Sequence, residues 1–268
     1  MFTLEILNTT TPRGRFHSFI FDFDGTISLI REGWVEIMTP YFAEVLAACP
    51  QGKSVEEETP VAREFIDLLT GKQTIYQCIR LAEEVAARGG VPEEPIGYKH
   101  EYLRRLDGHI DSRRQGLRSG SLSPRDWVVA GSFELVEALK DRGMNLYLAS
   151  GTDEPFVVDE AKLLGVDRYF DGIFGAKDDY KLFSKAMVIE RIIRDHDLSG
   201  EQLAGFGDGF VEIENVKAVG GLAVGVASNE RTRTGVDPWK RDRLAAAGAD
   251  AIIPDFSDIE QLLAWLFA

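Results

Sequence analysis

The order of apolar and polar residues predicts two kinds of element along this chain. Short apolar runs that end at glycine, aspartate or hydroxyl residues, such as residues 19–21 and 146–149, are typical of buried strands because they are too short for helices. Segments with apolar residues three and four positions apart, such as residues 185–193, are typical of amphipathic helices. The presence of both kinds indicates an α/β protein.

The two kinds of element alternate from about residue 126 onward. Such alternation favours a Rossmann-like parallel sheet with helices on both faces. Strands are expected at residues 2–7, 16–21, 145–152, 172–176, 221–227 and 249–254, with another that begins at residue 203. Helices are expected at residues 133–141 after a cap at Ser132, at 153–164, 239–247 and 257–267, and from Ser184 onward.

Residues 28–126 have a different pattern, which consists of helix-like segments with no convincing buried strand between them. Helices are expected at residues 32–48, 60–69, 74–88 and 94–106. We therefore expect an α-helical domain of residues 28–126, inserted after the first buried strand. The remaining residues, 1–27 and 127–268, are expected to form the α/β core.

Two carboxylates, Asp22 and Asp24, directly follow the first buried strand. Residues two apart on a strand point the same way, so both side chains are expected to face one site. Like charges repel unless a cation lies between them, and because every candidate ligand is a hard oxygen, Mg²⁺ is favoured over Zn²⁺. A pair that merely caps the strand is the alternative, and the flanking apolar run, Gly25 and Thr26 argue against it.

Polar residues also follow two later strands. Ser150 ends one of them, and Asp208 ends the other, with Glu212 four positions further on. Lys185 lies in the first turn of its helix, which is unfavourable for a cation unless an anion binds there. Ligands of parallel sheets bind at the carboxyl ends of the strands, so these groups are expected to converge with Asp22. Alone, the hydroxyl of Ser150 would be more typical of a cap.

Residues 19–26, Phe-Ile-Phe-Asp-Phe-Asp-Gly-Thr, resemble the first motif of the haloacid dehalogenase-like (HAD) phosphatases, hhhhDxDGT. The other motifs of that superfamily are a strand that ends in Ser or Thr, a lysine at a helix start, and GDxxxD. Ser150, Lys185 and residues 207–212 match them in the correct order, with Glu212 in place of the usual second Asp. The resemblance covers the whole core, whereas the insertion matches only in its position.

The resemblance implies a role for each matched residue. Asp22 would attack phosphorus to form an aspartyl-phosphate, while Asp24 would protonate the leaving group and then activate water. Asp22, Asp24 and Asp208 would hold Mg²⁺, and Lys185 would neutralise the phosphoryl oxygens. Glu212 would bind the metal through water or orient Lys185.

The resemblance also implies a substrate-binding site covered by the inserted domain, which would act as a cap. Arg31 lies a few residues beyond the carboxylate loop and must stay near that site. Lys181 is the alternative to Lys185 as the motif lysine, because a helix start inferred from a sequence is uncertain by a few residues. The residues expected to bind the substrate are Ser150, Gly151, Thr26 and Arg31.

The composition narrows the classes of partner. The 268-residue chain has a formal net charge of −14, which argues against generic binding to nucleic acid or anionic membranes. No apolar run approaches the roughly 18 residues of a membrane span, and no secretory signal is evident. With only Cys49 and Cys78, no disulfide framework is indicated, so a cytoplasmic location is expected.

These features predict a Mg²⁺-dependent hydrolase that acts on the phosphomonoester of a small phosphorylated metabolite. A phosphomutase would share all four motifs, and a catalytically silent protein that binds a phosphate ligand would share the fold. Dehalogenases of the superfamily lack the acid found at Asp24, and P-type ATPases carry DKTGT and membrane spans. Sugar phosphates, nucleotides and phosphoglycolate fit equally well as substrates, and the oligomeric state is equally open.

Overall fold

The chain forms two compact units. The computed structural model describes residues 4–177 and 183–268. The core unit consists of Met1–Glu32 and Gly116–Ala268, and the inserted unit consists of Gly33–Gln115. Residues 28–32 and 116–126, which the sequence pattern places in the insertion, belong to the core unit, where Ser28 pairs with Val128 in an isolated bridge. Lys181, the alternative to Lys185, lies outside the described residues.

The core unit is built on one sheet, which has seven strands among the residues described. Along the sheet their order is β1-β7-β6-β5-β2-β3-β4. All neighbours are parallel except β1 and β7, which pair in antiparallel fashion. In chain order the strands are β1 (Glu5–Ile6), β2 (Ser18–Phe21), β3 (Asn145–Asp153), β4 (Gly172–Ala176), β5 (Leu203–Gly207), β6 (Leu222–Val226) and β7 (Ala251–Ile253).

Strand β2 lies in the middle of the sheet, between β3 and β5. Phe19 and Phe21 on one side of the strand stack on Phe206 of β5, with ring centroids 6.3 Å and 5.0 Å apart. Ile20 on the other side belongs to a separate apolar cluster. Because both faces are covered, all four residues of the strand are buried, and residues 19–21 are apolar in succession rather than alternating. Its carboxyl end opens where the strand order reverses, which is where such sheets bind ligands.

Six helices flank this sheet among the described residues. Three of them contribute to the apolar cluster that contains Ile20, through Ile189, Ile213 and Leu244. The observed sheet and helices confirm the predicted α/β, Rossmann-like class. The core helices are α5 (Ser132–Asp141), α6 (Glu154–Leu164), α7 (Lys185–Asp195), α8 (Phe210–Ala218), α9 (Pro238–Ala246) and α10 (Ile259–Leu266).

The inserted unit is helical, as the pattern predicts. Its helices are α1 (Trp34–Ala47), α2 (Val55–Leu69), α3 (Thr74–Ala87) and the larger part of α4 (Pro95–Ser119). Its buried apolar side chains include Met38, Phe42, Ile66 and Leu81. None of the helices in residues 4–177 and 183–268 is both long enough and apolar enough to cross a membrane.

Several predicted element bounds are wrong. Helix α2 begins at Val55 rather than at residue 60, because Ser54 and Glu57 form a capping box in front of it. Helix α4 continues 13 residues beyond the predicted end at 106, and its inner face keeps apolar spacing through Ile110 and Leu117. Strand β3 ends at Asp153, one residue beyond the expected end at 152, and its register with β4 is irregular between Ala149 and Asp153.

Ser132 does not cap helix α5. It is the first residue of that helix, and its hydroxyl donates to the carbonyl oxygen of Val129 at 2.6 Å. The cap position belongs to Gly131, which has φ of 79°. A Cβ at Gly131 would lie 2.1 Å from the carbonyl oxygen of Phe256, so close chain approach requires glycine here.

Candidate active site

The carboxyl end of β2 carries a buried ion-pair network around Asp22. Lys185, the first residue of α7, places its Nζ 2.8 Å from Asp22 Oδ1 and also contacts Glu212 of α8. The side chain of Ser184 caps α7 by accepting from the backbone N–H of Met187, which fixes where the helix starts. The structure therefore brings Lys185, Asp22 and Glu212 together.

This setting changes the acidity of Asp22. Burial raises the pKa of Asp22, Lys185 opposes that rise, and the nearby charges of Asp208 and Asp24 add to it. The backbone N–H of Phe23 donates to the same oxygen that Lys185 contacts, Asp22 Oδ1, at 2.7 Å. Both hydrogen bonds described for Asp22 thus use Oδ1 and leave the direction of Oδ2 for other groups.

Asp24 lies two residues beyond Asp22 and is held by hydroxyls. Its Oδ2 accepts from Ser150 Oγ at 3.2 Å and from Thr152 Oγ1 at 2.8 Å. Its Oδ1 is buried and has no hydrogen-bond partner among the described residues. Ser150 also accepts from the backbone N–H of Thr152 at 3.0 Å, so this strand end forms a polar cradle for Asp24. Thr152 was not among the predicted site residues, although it stands with Ser150 at the predicted end of this strand.

Arg31 faces this network from the loop after β2. Its guanidinium binds Glu160 of α6 in a bidentate manner, at 3.0 Å and 2.8 Å, and both side chains are buried. Its Nε also lies 3.8 Å from Asp24 Oδ1, too far for a hydrogen bond but close enough for charge attraction. The structure places Arg31 beside the expected general acid, with Glu160 as its main partner.

A second lysine, Lys240 in the first turn of α9, lies at the end of β5. Its Nζ is 2.7 Å from Asp208 Oδ2, 2.7 Å from Glu230 Oε1 and 3.2 Å from Ser228 Oγ. Burial opposes the charge of Lys240, but Asp208 and Glu230 outweigh that effect and raise the pKa of the lysine. Burial likewise raises the pKa of Glu230, against the effect of Lys240. Sequence reasoning missed both Lys240 and Glu230.

Gly25 makes the close approach of these loops possible. Its φ is 76°, and a Cβ at this position would lie 2.2 Å from Asp208 Oδ2 and 3.0 Å from Glu230 Oε1. The carbonyl oxygen of Gly25 accepts from the hydroxyl of Ser228. The glycine of the D-x-D-G-T run is thus the point where Asp208 passes close to the β2 loop. Thr26 is buried next to it, and no partner for its hydroxyl is found in the described part of the chain.

The donor set near Asp22 suits Mg²⁺ in its chemistry. Asp22, Asp24 and Asp208 offer only carboxylate oxygens, and one of these, Asp24 Oδ1, is buried without a hydrogen bond from any described residue. Within the described residues, however, no three acidic, histidine or cysteine side chains stand close enough together to hold a metal ion as they are placed. Asp208 is instead paired with Lys240. The carboxylate oxygens therefore suit Mg²⁺ in their chemistry, while in this structure Lys185 and Lys240 neutralise Asp22 and Asp208.

The sequence model of the family described as haloacid dehalogenase-like hydrolase matches residues 16–220. Because this match covers well over half of the chain, the protein belongs to that family. The predicted superfamily is therefore confirmed. No curated protein matches the chain significantly in sequence.

Solved structures with the same fold include both phosphatases and mutases. A predicted phosphoglycolate phosphatase from Haemophilus somnus 129PT is 17% identical with a TM-score of 0.62, over 93% of this chain and 98% of that one. A β-phosphoglucomutase from Clostridium difficile is 14% identical with a TM-score of 0.64, over 94% and 97%. CbbY from Rhodobacter sphaeroides, solved with phosphate, is 18% identical with a TM-score of 0.57, over 91% and 96%.

At these identities the solved structures establish the fold, while the family match establishes the kind of enzyme. The predicted enzyme is therefore confirmed as a haloacid dehalogenase-like hydrolase. The roles of individual residues remain predictions.

Proposed function

We propose that this protein hydrolyses the phosphomonoester of a small phosphorylated metabolite through an aspartyl-phosphate on Asp22. The observation that carries the proposal is the position of Asp22 at the end of the central strand, with Lys185 on its Oδ1 and Asp24 two residues away. A buried lysine beside a nucleophilic carboxylate supplies positive charge where the phosphoryl oxygens gather negative charge.

In the first step Oδ2 of Asp22 attacks phosphorus, because the hydrogen bonds described for that carboxylate use Oδ1. A P–O bond to Asp22 forms, and the ester P–O bond breaks with its electron pair on the leaving oxygen. Asp24 gives its proton to that oxygen, so an alcohol departs.

In the second step Asp24 takes a proton from water as that water attacks phosphorus. The bond between phosphorus and Asp22 breaks, and the carboxylate and inorganic phosphate are released. Asp24 ends the cycle protonated, as it began. Lys185 stays beside Asp22 in both steps and neutralises charge on the phosphoryl oxygens.

Asp22, Asp24 and Asp208 would hold Mg²⁺, for which their oxygens are suited. When bound, the ion supplies charge neutralisation of the phosphoryl group. Ser150, Gly151 and Thr26 would bind phosphate oxygens, and Glu212 orients Lys185, which it contacts directly. Arg31 we assign to the substrate side of Asp24 on the strength of its 3.8 Å approach to that residue.

The inserted unit would act as a cap that selects the substrate, and this assignment is part of the proposal. Its position in the chain, between β2 and α5, supports it, because a lid inserted after the nucleophile strand can exclude water during reaction. CbbY of the same fold has been solved with phosphate and with xylulose 1,5-bisphosphate. Sugar phosphates are therefore the first substrates to test.

The decisive experiment replaces the nucleophile. Asp22→Asn should lower kcat for p-nitrophenyl phosphate at least about a thousandfold, because amide oxygen does not form the covalent intermediate. Circular dichroism should show an intact fold. Retained turnover in that variant would refute the assignment of Asp22.

Asp250→Asn is the matched control. Asp250 is also a buried aspartate paired with a lysine, Lys217 at 2.8 Å, and it lies outside the proposed site. This variant should lose stability and keep its turnover. Assays of wild type with sugar phosphates separate the alternatives, since a hydrolase releases inorganic phosphate, a phosphomutase isomerises its substrate, and a silent binding protein does neither.

A further inference from the structure

Lys240 occupies a position that the proposed reaction does not use. It binds an oxygen of Asp208, the carboxylate assigned above to Mg²⁺, and its side chain is only 11% exposed. A largely buried ammonium depends on such partners, because little water is left to solvate it. Lys240 therefore stands in direct contact with a carboxylate that a divalent ion would also need.

We propose that Lys240 is an internal cation that competes with the divalent metal for Asp208 and so sets the metal affinity of the site. This inference rests on the proposed function, since it takes Asp208 as a metal ligand. The ammonium lies 2.7 Å from Asp208 Oδ2, so a metal ion on that oxygen is repelled by it, and binding of one cation disfavours contact with the other.

The surroundings let Lys240 leave Asp208 without becoming unpaired. Glu230 and Ser228 lie on the same ammonium, at 2.7 Å and 3.2 Å, and remain as partners. Both residues also line a cavity of about 240 Å³, which gives this part of the network room to rearrange. The exchange thus leaves no bare buried charge, which would otherwise be costly.

Lys240, rather than Asp208, is the group that moves. Asp208 Oδ2 lies where a Cβ on Gly25 would come within 2.2 Å of it, so the short carboxylate sits tightly against the β2 loop. Lysine carries its charge on a flexible four-carbon stem. A shift of that stem toward Glu230 is enough to free Asp208 for a metal.

The test measures binding of MgCl₂ to metal-stripped protein by isothermal titration calorimetry. Lys240→Met should bind Mg²⁺ more tightly than wild type, by at least about tenfold, because a unit charge close to a divalent ion is removed. Without metal the same variant should unfold at a lower temperature, since Asp208 and Glu230 lose their shared partner. Equal or weaker Mg²⁺ binding by Lys240→Met would overturn the proposal.

A charge-balanced double variant, Lys240→Met with Glu230→Gln, removes the competing ammonium and one carboxylate, so the local net charge is unchanged. It should also bind Mg²⁺ more tightly than wild type, and it provides the answer if Lys240→Met does not fold; affinity no higher than wild type would count against competition. Lys240→Arg, which keeps the charge, should stay near wild type.

Lys217→Met is the matched control for loss of a partly buried lysine, and it should leave Mg²⁺ affinity unchanged. A wild type that binds no Mg²⁺ would contradict the proposed function itself. Wild-type binding that Lys240→Met leaves unaltered would contradict only the role of Lys240.

Discussion

Lys185 and Lys240 form two similar centres in the core unit. Each lies in the first turn of a helix, α7 or α9, and each contacts two carboxylates that reduce the penalty of a cation at that helix end. Lys185 lies between Asp22 and Glu212, whereas Lys240 lies between Asp208 and Glu230. The centres differ in the role of the aspartate, which in our proposals attacks phosphorus in the first centre and holds a metal ion in the second. The same local arrangement can thus serve either the chemical step or the cofactor.

The largest effect on turnover is expected at the first centre. Lys185→Met should lower kcat for p-nitrophenyl phosphate by at least about a hundredfold even at saturating Mg²⁺, because the charge that faces the transition state is lost. Steady-state kinetics with a Mg²⁺ series checks this. Full recovery of kcat by added Mg²⁺ would mean that Lys185 acts like Lys240, and the two centres would no longer differ in kind.

The carboxylate partners should separate the centres in a second way. Glu212→Gln leaves Lys185 with Asp22 alone, which holds the nucleophile more firmly and should lower kcat by roughly tenfold with little change in Mg²⁺ affinity. Glu230→Gln leaves Asp208 as the carboxylate partner of Lys240 beside the Ser228 hydroxyl and should weaken Mg²⁺ binding instead. Kinetics and calorimetry on both variants provide the comparison, and identical profiles would contradict it.

The ion pair of Glu58 and Arg88 in the inserted unit is a comparison for the two centres, because it is expected to affect stability and not turnover. Glu58 is buried, binds Arg88 at 2.9 Å and 2.7 Å, and accepts from the backbone N–H of Lys53. Glu58→Gln should cost about 1–3 kcal/mol of stability and leave turnover unchanged. Urea unfolding together with kinetics checks this, and lost turnover in a folded variant would contradict it.

The same pair predicts a pH dependence. Hydrogen bonds from Arg88 lower the pKa of Glu58, against the effect of burial. The stabilisation is therefore complete above the ordinary pKa of a glutamate and is lost as the pH falls through the lowered value in the folded state. The stability difference between wild type and Glu58→Gln should shrink between about pH 7 and about pH 3, measured by urea unfolding. A difference that grows on acidification would show that the sign is wrong.

Much of the first centre could be predicted from the sequence, because its signals are local. The apolar run of β2, the D-x-D spacing and a lysine at a helix start each reflect the physics of one short segment. The structure brings Asp22, Lys185 and Glu212 into contact as that argument requires. What the residues do chemically remains a proposal.

The second centre could not be predicted from the sequence, although the position of its lysine at a helix start was visible. Lys240 lies in a first turn, so the rule that selected Lys185 also selects it. Its partners come from separate loops, after β5 and after β6, and they meet only because Gly25 lets them approach. Such a meeting depends on tertiary packing, which a single sequence does not display.

Strand β1 protects the rim of the sheet. Its two residues pair with β7, the backbone N–H groups of Leu7 and Asn8 donate to the carbonyl oxygen of Asp250, and Glu5 forms an ion pair with Arg241. A bare strand at a sheet margin offers unpaired amide and carbonyl groups to which another molecule can add a strand. Because β1 is only two residues long, it presents few such groups itself, and we expect a chain shortened past it to aggregate more readily through the exposed edge of β7.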